Sequence, residues 1–107
     1  MGGKSVIHRQ ATIRNPKSDG CFCYIVECAD GTFYTGWTTD LERRVAAHNA
    51  GRGSRYTRQR RPVKLVYFES LPTRAEAMRR ETRLKRMRRS AKQKHIKSFK
   101  FQTSKDV

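Results

Sequence analysis

The chain has few acidic residues, no long apolar run and no even set of cysteines, and each shortage excludes a class of protein. Only 9 Asp and Glu stand against 25 Lys and Arg, so the net charge of the 107 residues is +16. A charge of that sign attracts a polyanion, and nucleic acid is the first candidate. No apolar run approaches the roughly 18 residues of a membrane span, and the basic segments lack the strong apolar face of an interfacial helix. We therefore expect no membrane role.

The three cysteines also limit the setting and the chemistry. Cys21, Cys23 and Cys28 crowd one segment and cannot all pair with each other. A secretory signal would need an apolar core near the N-terminus, which the sequence lacks. Both features indicate a reducing, cytoplasmic compartment in which cysteine serves as a small hydrophobe. Cys-x-Cys is not a zinc spacing and no second Cys/His cluster exists, so a zinc site is not expected.

One domain fits this length, with a tail at each end. Residues 1–20 show no sustained periodicity and contain several Gly, Pro and Asp-Gly breakers, which indicates a flexible basic arm. An organellar transit peptide and a nucleic-acid-touching arm remain alternatives, because no acid precedes Asp19. Residues 102–107 read as a polar tail.

Two apolar strands, Phe22–Cys28 and Thr32–Thr38, are separated by a short turn. A two-residue loop would put Tyr24 and Tyr34 on opposite faces of the hairpin. A three-residue loop with Gly31 in the left-handed conformation puts both on one face. We predict the three-residue loop, because glycine suits that position and two facing phenols make chemical sense.

The first helix carries two polar residues where an apolar stripe is predicted. Thr39 is its expected N-cap with Glu42 completing a capping box, and Gly51 is its expected C-terminal stop. Arg44 and His48 fall on the inward face. Burying an unpaired charge is costly, so this conflict is the first indication of a functional site.

A strongly basic segment follows the first helix and precedes a third strand, Val63–Glu69. Its cations surround one aromatic ring, an arrangement suited to a nucleic-acid backbone. The candidate nucleic-acid-binding residues are Arg52, Arg55, Tyr56, Arg58, Arg60 and Arg61.

A second long helix is predicted from a Thr73 N-cap to about Arg89. Glu81 falls within its apolar stripe and is the second misplaced charge; the stripe otherwise consists of Ala77, Met78 and Leu84. A third helix is expected from Ser90 to about Lys100. The order of elements predicts an α+β fold, a three-stranded antiparallel β-sheet flanked by helices.

The misplaced polar residues match the needs of phosphodiester hydrolysis. A base must activate water and a cation must meet the charge on the phosphate. A single carboxylate suffices to hold Mg²⁺, which keeps several waters and binds substrate phosphates. The candidate catalytic residues are Tyr24, Tyr34, Arg44, His48 and Glu81.

Each of these residues also has an ordinary explanation. The tyrosines could be ordinary strand residues whose rings lie in the core and whose hydroxyls contact water. Arg44 and Glu81 could form a structural ion pair between two helices, and His48 could cap a helix C-terminus.

The ordered set resembles the GIY-YIG nucleases. Cys23-Tyr24 and Tyr34-Thr35-Gly36 match the two-part signature, and RRETRLK around residue 81 is similar to the metal-binding segment. Arg44 lies eight residues after Gly36 and His48 twelve, as in that family's first helix. The resemblance is closest to the small, stand-alone, YhbQ-like bacterial branch.

The resemblance implies a nuclease domain over residues 21–101 and Mg²⁺- or Mn²⁺-dependent cleavage of DNA, in DNA repair or recombination. It implies that Glu81 holds the metal and that Arg44 binds the scissile phosphate. Tyr24 and Tyr34 would position or deprotonate the attacking water, assisted by His48, with the choice of base left open. Relatives that read sequence carry an additional domain, so selection by DNA structure is expected.

Two other functions remain open for the same features. The chain could be a non-catalytic nucleic-acid-binding module that retains the nuclease fold. Its charge could instead engage an acidic protein, and a regulatory protein partner is a further candidate. The steep salt dependence of phosphate contacts separates DNA binding from the last alternative.

Overall fold

The computed structural model of the protein describes residues 20–105, with side chains up to residue 99. The predicted arm, except for its last residue, and the final two residues of the tail lie outside the described part of the chain. The predicted α+β class is confirmed. The elements in chain order are β1 (Cys21–Glu27), β2 (Phe33–Thr38), α1 (Leu41–Asn49), α2 (Arg55–Arg58), β3 (Lys64–Leu71), α3 (Arg74–Arg86) and α4 (Arg89–Lys105).

The three strands form one antiparallel sheet in the order β2-β1-β3. Val26 pairs with Tyr34 and Tyr24 with Gly36, so the two tyrosines share a face. The loop between Cys28 and Thr32 has three residues, and its last, Gly31, has φ of +86°. The predicted loop and its consequence for the tyrosines are both confirmed.

The central strand is buried on both faces because helices cover each one. On the front face, Tyr24 packs in a cluster with Leu41 of α1. On the back face, Cys23 packs with Ala77 and Leu84 of α3. The same face continues with Ile25, which packs against Ile96 of α4.

One residue predicted for the buried stripe of α3 faces water. Met78 is 49% exposed, while Ala77 and Leu84 are fully buried. The buried contacts of α3 with the back face of the sheet are therefore made by Ala77 and Leu84.

One predicted helix cap is wrong and another is confirmed. Asp40, and not Thr39, caps α1, with its carboxylate accepting the N–H of Arg43 at 3.1 Å. A carboxylate at this position also interacts favourably with the positive end of the helix dipole. Thr73 caps α3 as predicted, accepting the N–H of Glu76 at 3.1 Å.

The break between α3 and α4 lies earlier in the chain than predicted, and α4 extends further than predicted. The first of them ends at Arg86 because Met87 adopts an extended conformation, in which it packs against the back-face cluster. The last helix begins at Arg89 and continues to Lys105. No helix within residues 20–105 is long and apolar enough to cross a membrane.

Candidate active site

The centre of the candidate site is a hydrogen bond between the Tyr24 hydroxyl and Nε2 of His48, 2.9 Å long. Both side chains are buried, with exposed fractions of 2% and 0%. Burial and the neighbouring Arg44 charge lower the pKa of His48 from 6.5 to about 4. Burial is also the main cause that raises the pKa of Tyr24. At neutral pH the pair is therefore a neutral phenol and a neutral imidazole.

Gly36 makes room for this phenol on the neighbouring strand. A Cβ at this position would lie 2.6 Å from the Tyr24 hydroxyl and 2.8 Å from its Cζ. These separations are far shorter than van der Waals contacts, so any side chain would displace the ring. The glycine that ends the Tyr34-Thr35-Gly36 triplet thus has a steric role.

The other nitrogen of His48 is held by residues that no sequence pattern marks as part of the site. Nδ1 lies 2.8 Å from the hydroxyl of Thr57, which is fully buried. Ser54 caps α2, with its side chain accepting the N–H of Thr57 at 3.1 Å. A Cβ on Gly53 would lie 2.1 Å from Nδ1. The Ser-x-x-Thr spacing indicates the cap, but only the packing brings Thr57 to His48.

Tyr34 joins the site from the second strand and is the more accessible of the two phenols. Its ring centre lies 5.2 Å from that of His48 in an edge-on arrangement. Tyr56, which is 37% exposed, stacks on Tyr34 with ring centres 6.1 Å apart. The basic segment therefore borders the candidate site.

Arg44 is half-buried on α1, and its charge reaches both members of the central pair. It lowers the pKa of His48 and opposes the rise in the pKa of Tyr24. Within the described residues no ion pair joins it to Glu81, so the structural ion pair considered for these two is not formed. Arg44 thus adds an unneutralised positive charge near Tyr24 and His48.

Glu81 approaches this group from α3, whose buried residues pack on the back face of the sheet. Its charge nevertheless raises the pKa of Tyr24. Its carboxylate pairs with Lys85 at 3.3 Å, and 20% of its side chain is exposed. The structure thus brings Tyr24, Tyr34 and His48 into contact and places the charges of Arg44 and Glu81 within electrostatic reach of Tyr24.

The described side chains fit a magnesium ion only in its sparsest mode of binding. No group of three or more His, Cys, Asp or Glu side chains that could hold a metal occurs among them. Mg²⁺ is often held by one or two carboxylates, several waters and substrate phosphates. Glu81 alone meets that requirement, and it is accessible enough to do so.

The arginines of the basic segment divide into two kinds. Arg60 is held by Asp30 at 3.1 Å, and its guanidinium lies 3.8 Å from the centre of the Tyr56 ring. Arg61 donates to the carbonyl of Arg58 at 2.9 Å. Both guanidiniums thus support the local fold. The side chains of the other three are exposed to solvent: Arg52, Arg55 and Arg58.

Comparison with known proteins agrees with this architecture. Residues 20–95 match the GIY-YIG catalytic domain. A UPF0213 protein of Halobacterium salinarum is 57% identical over 70 residues, which cover 65% of this chain and 91% of the relative. A UPF0213 protein of Streptococcus agalactiae is 51% identical over 79 residues, covering 74% of this chain and 90% of the relative.

A solved structure has a similar fold. The solution NMR structure of a protein from E. faecalis is 37% identical, with a TM-score of 0.54, and the match covers 83% of this chain and 93% of that one. The GIY-YIG domain indicates a nuclease. The chain therefore belongs to the GIY-YIG nuclease family, as one of its UPF0213 members.

Proposed function

We propose that this protein is a Mg²⁺- or Mn²⁺-dependent endonuclease that hydrolyses phosphodiester bonds in DNA. It selects its substrate by structure more than by sequence and acts in DNA repair or recombination. The observation that carries this proposal is the hydrogen bond between Tyr24 and neutral His48, with Tyr34 and Arg44 beside it.

The central pair suits proton removal from water. One of the two phenol oxygens would accept a proton from the attacking water and release its own, which passes to solvent if the phenol is the partly exposed Tyr34. If this oxygen is that of Tyr24, its own proton moves to Nε2 of His48, 2.9 Å away. The water oxygen forms a bond to phosphorus, the bond to the leaving sugar oxygen breaks, and that oxygen takes a proton from solvent. A neutral imidazole is required for this transfer, and the lowered pKa of His48 provides it at pH 7.

Arg44 suits the scissile phosphate. Within the described chain its guanidinium has no ion-pair partner, although it is half-buried. A phosphate would supply the missing negative charge through two parallel hydrogen bonds. The same phosphate would ease protonation of His48 by offsetting the Arg44 charge.

The metal would be held by Glu81. A divalent ion there supplies positive charge for the phosphate oxygens as the transition state forms. Lys85 must release the carboxylate first, and an exposed pair of this kind is weak enough to allow it.

The exposed arginines of the basic segment suit the rest of the DNA. Arg52, Arg55 and Arg58 present solvated guanidiniums next to the site. Contacts to phosphates position a protein on DNA and carry no sequence information directly. This supports recognition of DNA shape more than of base order.

Incubation with branched, nicked, single-stranded and plain duplex DNA tests the proposal, with Mg²⁺, with Mn²⁺ and with a chelator. We expect metal-dependent nicking of at least one non-duplex substrate and little cleavage of plain duplex. The exposed Arg52, Arg55 and Arg58 would equally serve the alternative of a non-catalytic binding module. Binding of all four substrates without cleavage under any metal would establish that alternative.

A further inference from the structure

We infer that Thr57 holds the proton of His48 on Nδ1 and so keeps the lone pair of Nε2 directed at Tyr24. Thr57 is thus a positioning residue for the proposed cleavage, and its catalytic consequence rests on the proposed function. The tautomer itself can be tested without any cleavage.

Tyr24 determines which nitrogen of His48 is unprotonated. Its hydroxyl is buried, and among the described residues its hydrogen-bond partner is Nε2 of His48. Burial keeps the phenol protonated. A buried O–H without an acceptor is costly, whereas an unused oxygen lone pair costs much less. The phenol therefore donates, and Nε2 must be the unprotonated nitrogen that accepts.

Thr57 provides the hydrogen-bond acceptor for the other ring nitrogen. Neutral imidazole then carries its proton on Nδ1, which needs an acceptor. The Thr57 oxygen lies 2.8 Å away and can accept it, because the threonine proton has acceptors of its own on Ser54. These are the Ser54 side-chain oxygen at 3.0 Å and its carbonyl oxygen at 3.4 Å. Every buried donor from Tyr24 through His48 and Thr57 to Ser54 finds an acceptor only when Tyr24 donates to Nε2 and Nδ1 donates to Thr57.

Packing prevents the ring from escaping this arrangement. His48 is fully buried, and Gly53 lies against it so closely that a Cβ there would be 2.1 Å from Nδ1. A half-turn of the ring would place carbon atoms opposite both Tyr24 and Thr57. Both hydrogen bonds would be lost, and the buried hydroxyls of Tyr24 and Thr57 would each lose a partner.

The arrangement also prepares the ring for the charged form. When Nε2 receives the phenol proton, both ring nitrogens become donors. Nε2–H then faces the Tyr24 oxygen, and Nδ1–H already donates to Thr57. This resembles the general use of a third group to orient a catalytic base. The charge that opposes protonation comes from Arg44 on the same helix, while Tyr24 and Tyr34 face the ring from the strands.

The test combines imidazole ¹⁵N NMR with kinetics, the His48 signals being identified by their loss in His48→Gln. In the parent protein we expect a protonated Nδ1 and a bare Nε2. Thr57→Val keeps the shape and removes the acceptor, so the proton should move in part or wholly to Nε2. With the DNA that the parent cleaves, kcat should fall roughly 100-fold at nearly constant KM. Thr57→Ser should restore both the spectrum and most of kcat.

Thr35→Val is the matched control. Thr35 is a buried threonine on β2 whose hydroxyl has no hydrogen-bond partner among the described residues. Its replacement should change neither the His48 tautomer nor the rate.

Two results would overturn the inference. One is a parent spectrum with the proton on Nε2, which decides the question even if Thr57→Val does not fold. The other is Thr57→Val with the parent tautomer and the parent kcat. A parent that cleaves no DNA contradicts the proposed function instead, and the NMR result still decides the tautomer.

Discussion

Glu81 is partly exposed, with 20% of its side chain accessible to solvent. It projects from a helix packed on the back face of the sheet, and its carboxylate is paired with Lys85, one turn further along. A pair of this kind between partly exposed side chains contributes about 0.5 kcal/mol at most. The carboxylate is therefore free, in energetic terms, to exchange its partner for a metal ion.

Glu81→Gln should abolish metal-dependent cleavage while leaving the fold intact. The amide keeps the size of the side chain and removes the charge that would hold Mg²⁺. DNA binding should persist or tighten, because a negative charge near phosphate is lost. The change in unfolding free energy should stay within about 0.5 kcal/mol. Cleavage assays, DNA titrations and thermal melts check these three outcomes.

Glu76→Gln is the control for this change, because it removes the same charge from the first turn of the same helix. It should cleave like the parent. A Glu81→Gln protein that still cuts with Mg²⁺ would remove Glu81 from the mechanism.

Stability should depend on the protonation of His48. In the folded protein the pKa is about 4, against 6.5 for the unperturbed group. Between these values the unfolded state binds the extra proton, so the contribution is complete above pH 6.5 and is lost as pH falls towards 4. The loss amounts to at most about 3 kcal/mol. Urea unfolding of the parent and His48→Gln from pH 4 to 8 measures it as a difference, in which carboxylates common to both proteins cancel. Parallel pH profiles of the two proteins would contradict the buried neutral histidine.

At the scale of elements, the β1–β2 hairpin brings the two phenols together. Its loop of three residues sets the register, and the register sets which side chains share a face. Gly36 then allows the Tyr24 ring to lie across the neighbouring strand.

Gly36→Ala should damage the site through sterics alone. The new methyl group would lie 2.6 Å from the Tyr24 hydroxyl, so the ring must move. The hydrogen bond from this hydroxyl to His48 must then lengthen or break. We expect destabilisation by roughly 1–3 kcal/mol and a loss of cleavage beyond what partial unfolding explains. Thermal melts and assays well below the melting temperature separate these effects.

Gly31→Asn offers the comparison within the same hairpin. Its Cβ would meet no atom within 4 Å, and asparagine tolerates the left-handed backbone there. This variant should keep the parent rate. Equal activity of Gly36→Ala and the parent would show that the phenol position is not critical.

The basic segment contains both binding and supporting arginines, which replacement should distinguish. Arg55→Ala and Arg58→Ala should weaken binding of all DNA sequences alike and reduce the salt slope by about one for each phosphate that the variant no longer neutralises. Their stability should hardly change, since both side chains are exposed. Arg60→Ala should instead cost roughly 1 kcal/mol, because its guanidinium stacks on Tyr56 and pairs with Asp30. Salt titrations and melts of the single variants check this division. An Arg60→Ala protein as stable as the parent would contradict it.

For the whole molecule, the net charge of +16 destabilises the folded state and favours DNA binding. Like charges on a compact domain repel one another, and salt screens this repulsion. Salt also removes the gain from counterion release on DNA. Raising NaCl from about 50 to 200 mM should therefore raise the melting temperature by a few degrees and weaken DNA binding at least about 100-fold. Fluorescence melts and anisotropy titrations in the same buffers measure both. Affinity that is independent of salt would point to a protein partner in place of DNA.

Local chemistry in the sequence was sufficient for the hairpin and for two of the helix boundaries. Gly31 needs a backbone conformation that other residues avoid, and strand alternation then places Tyr24 and Tyr34 on one face. The cap at Thr73 and the stop at Gly51 are likewise readable, because they depend on neighbours within a few residues.

Only the tertiary structure decided which groups touch the site residues. Thr57 reaches His48 across nine positions, and Asp30 reaches Arg60 across thirty. Such contacts depend on how the elements pack, which no short-range pattern encodes. The same holds for Glu81, whose helix covers the back face because Ala77 and Leu84 fill the space against Cys23. Periodicity shows that a helix has an apolar stripe, but the face of the sheet that receives the stripe follows from packing the whole core at once.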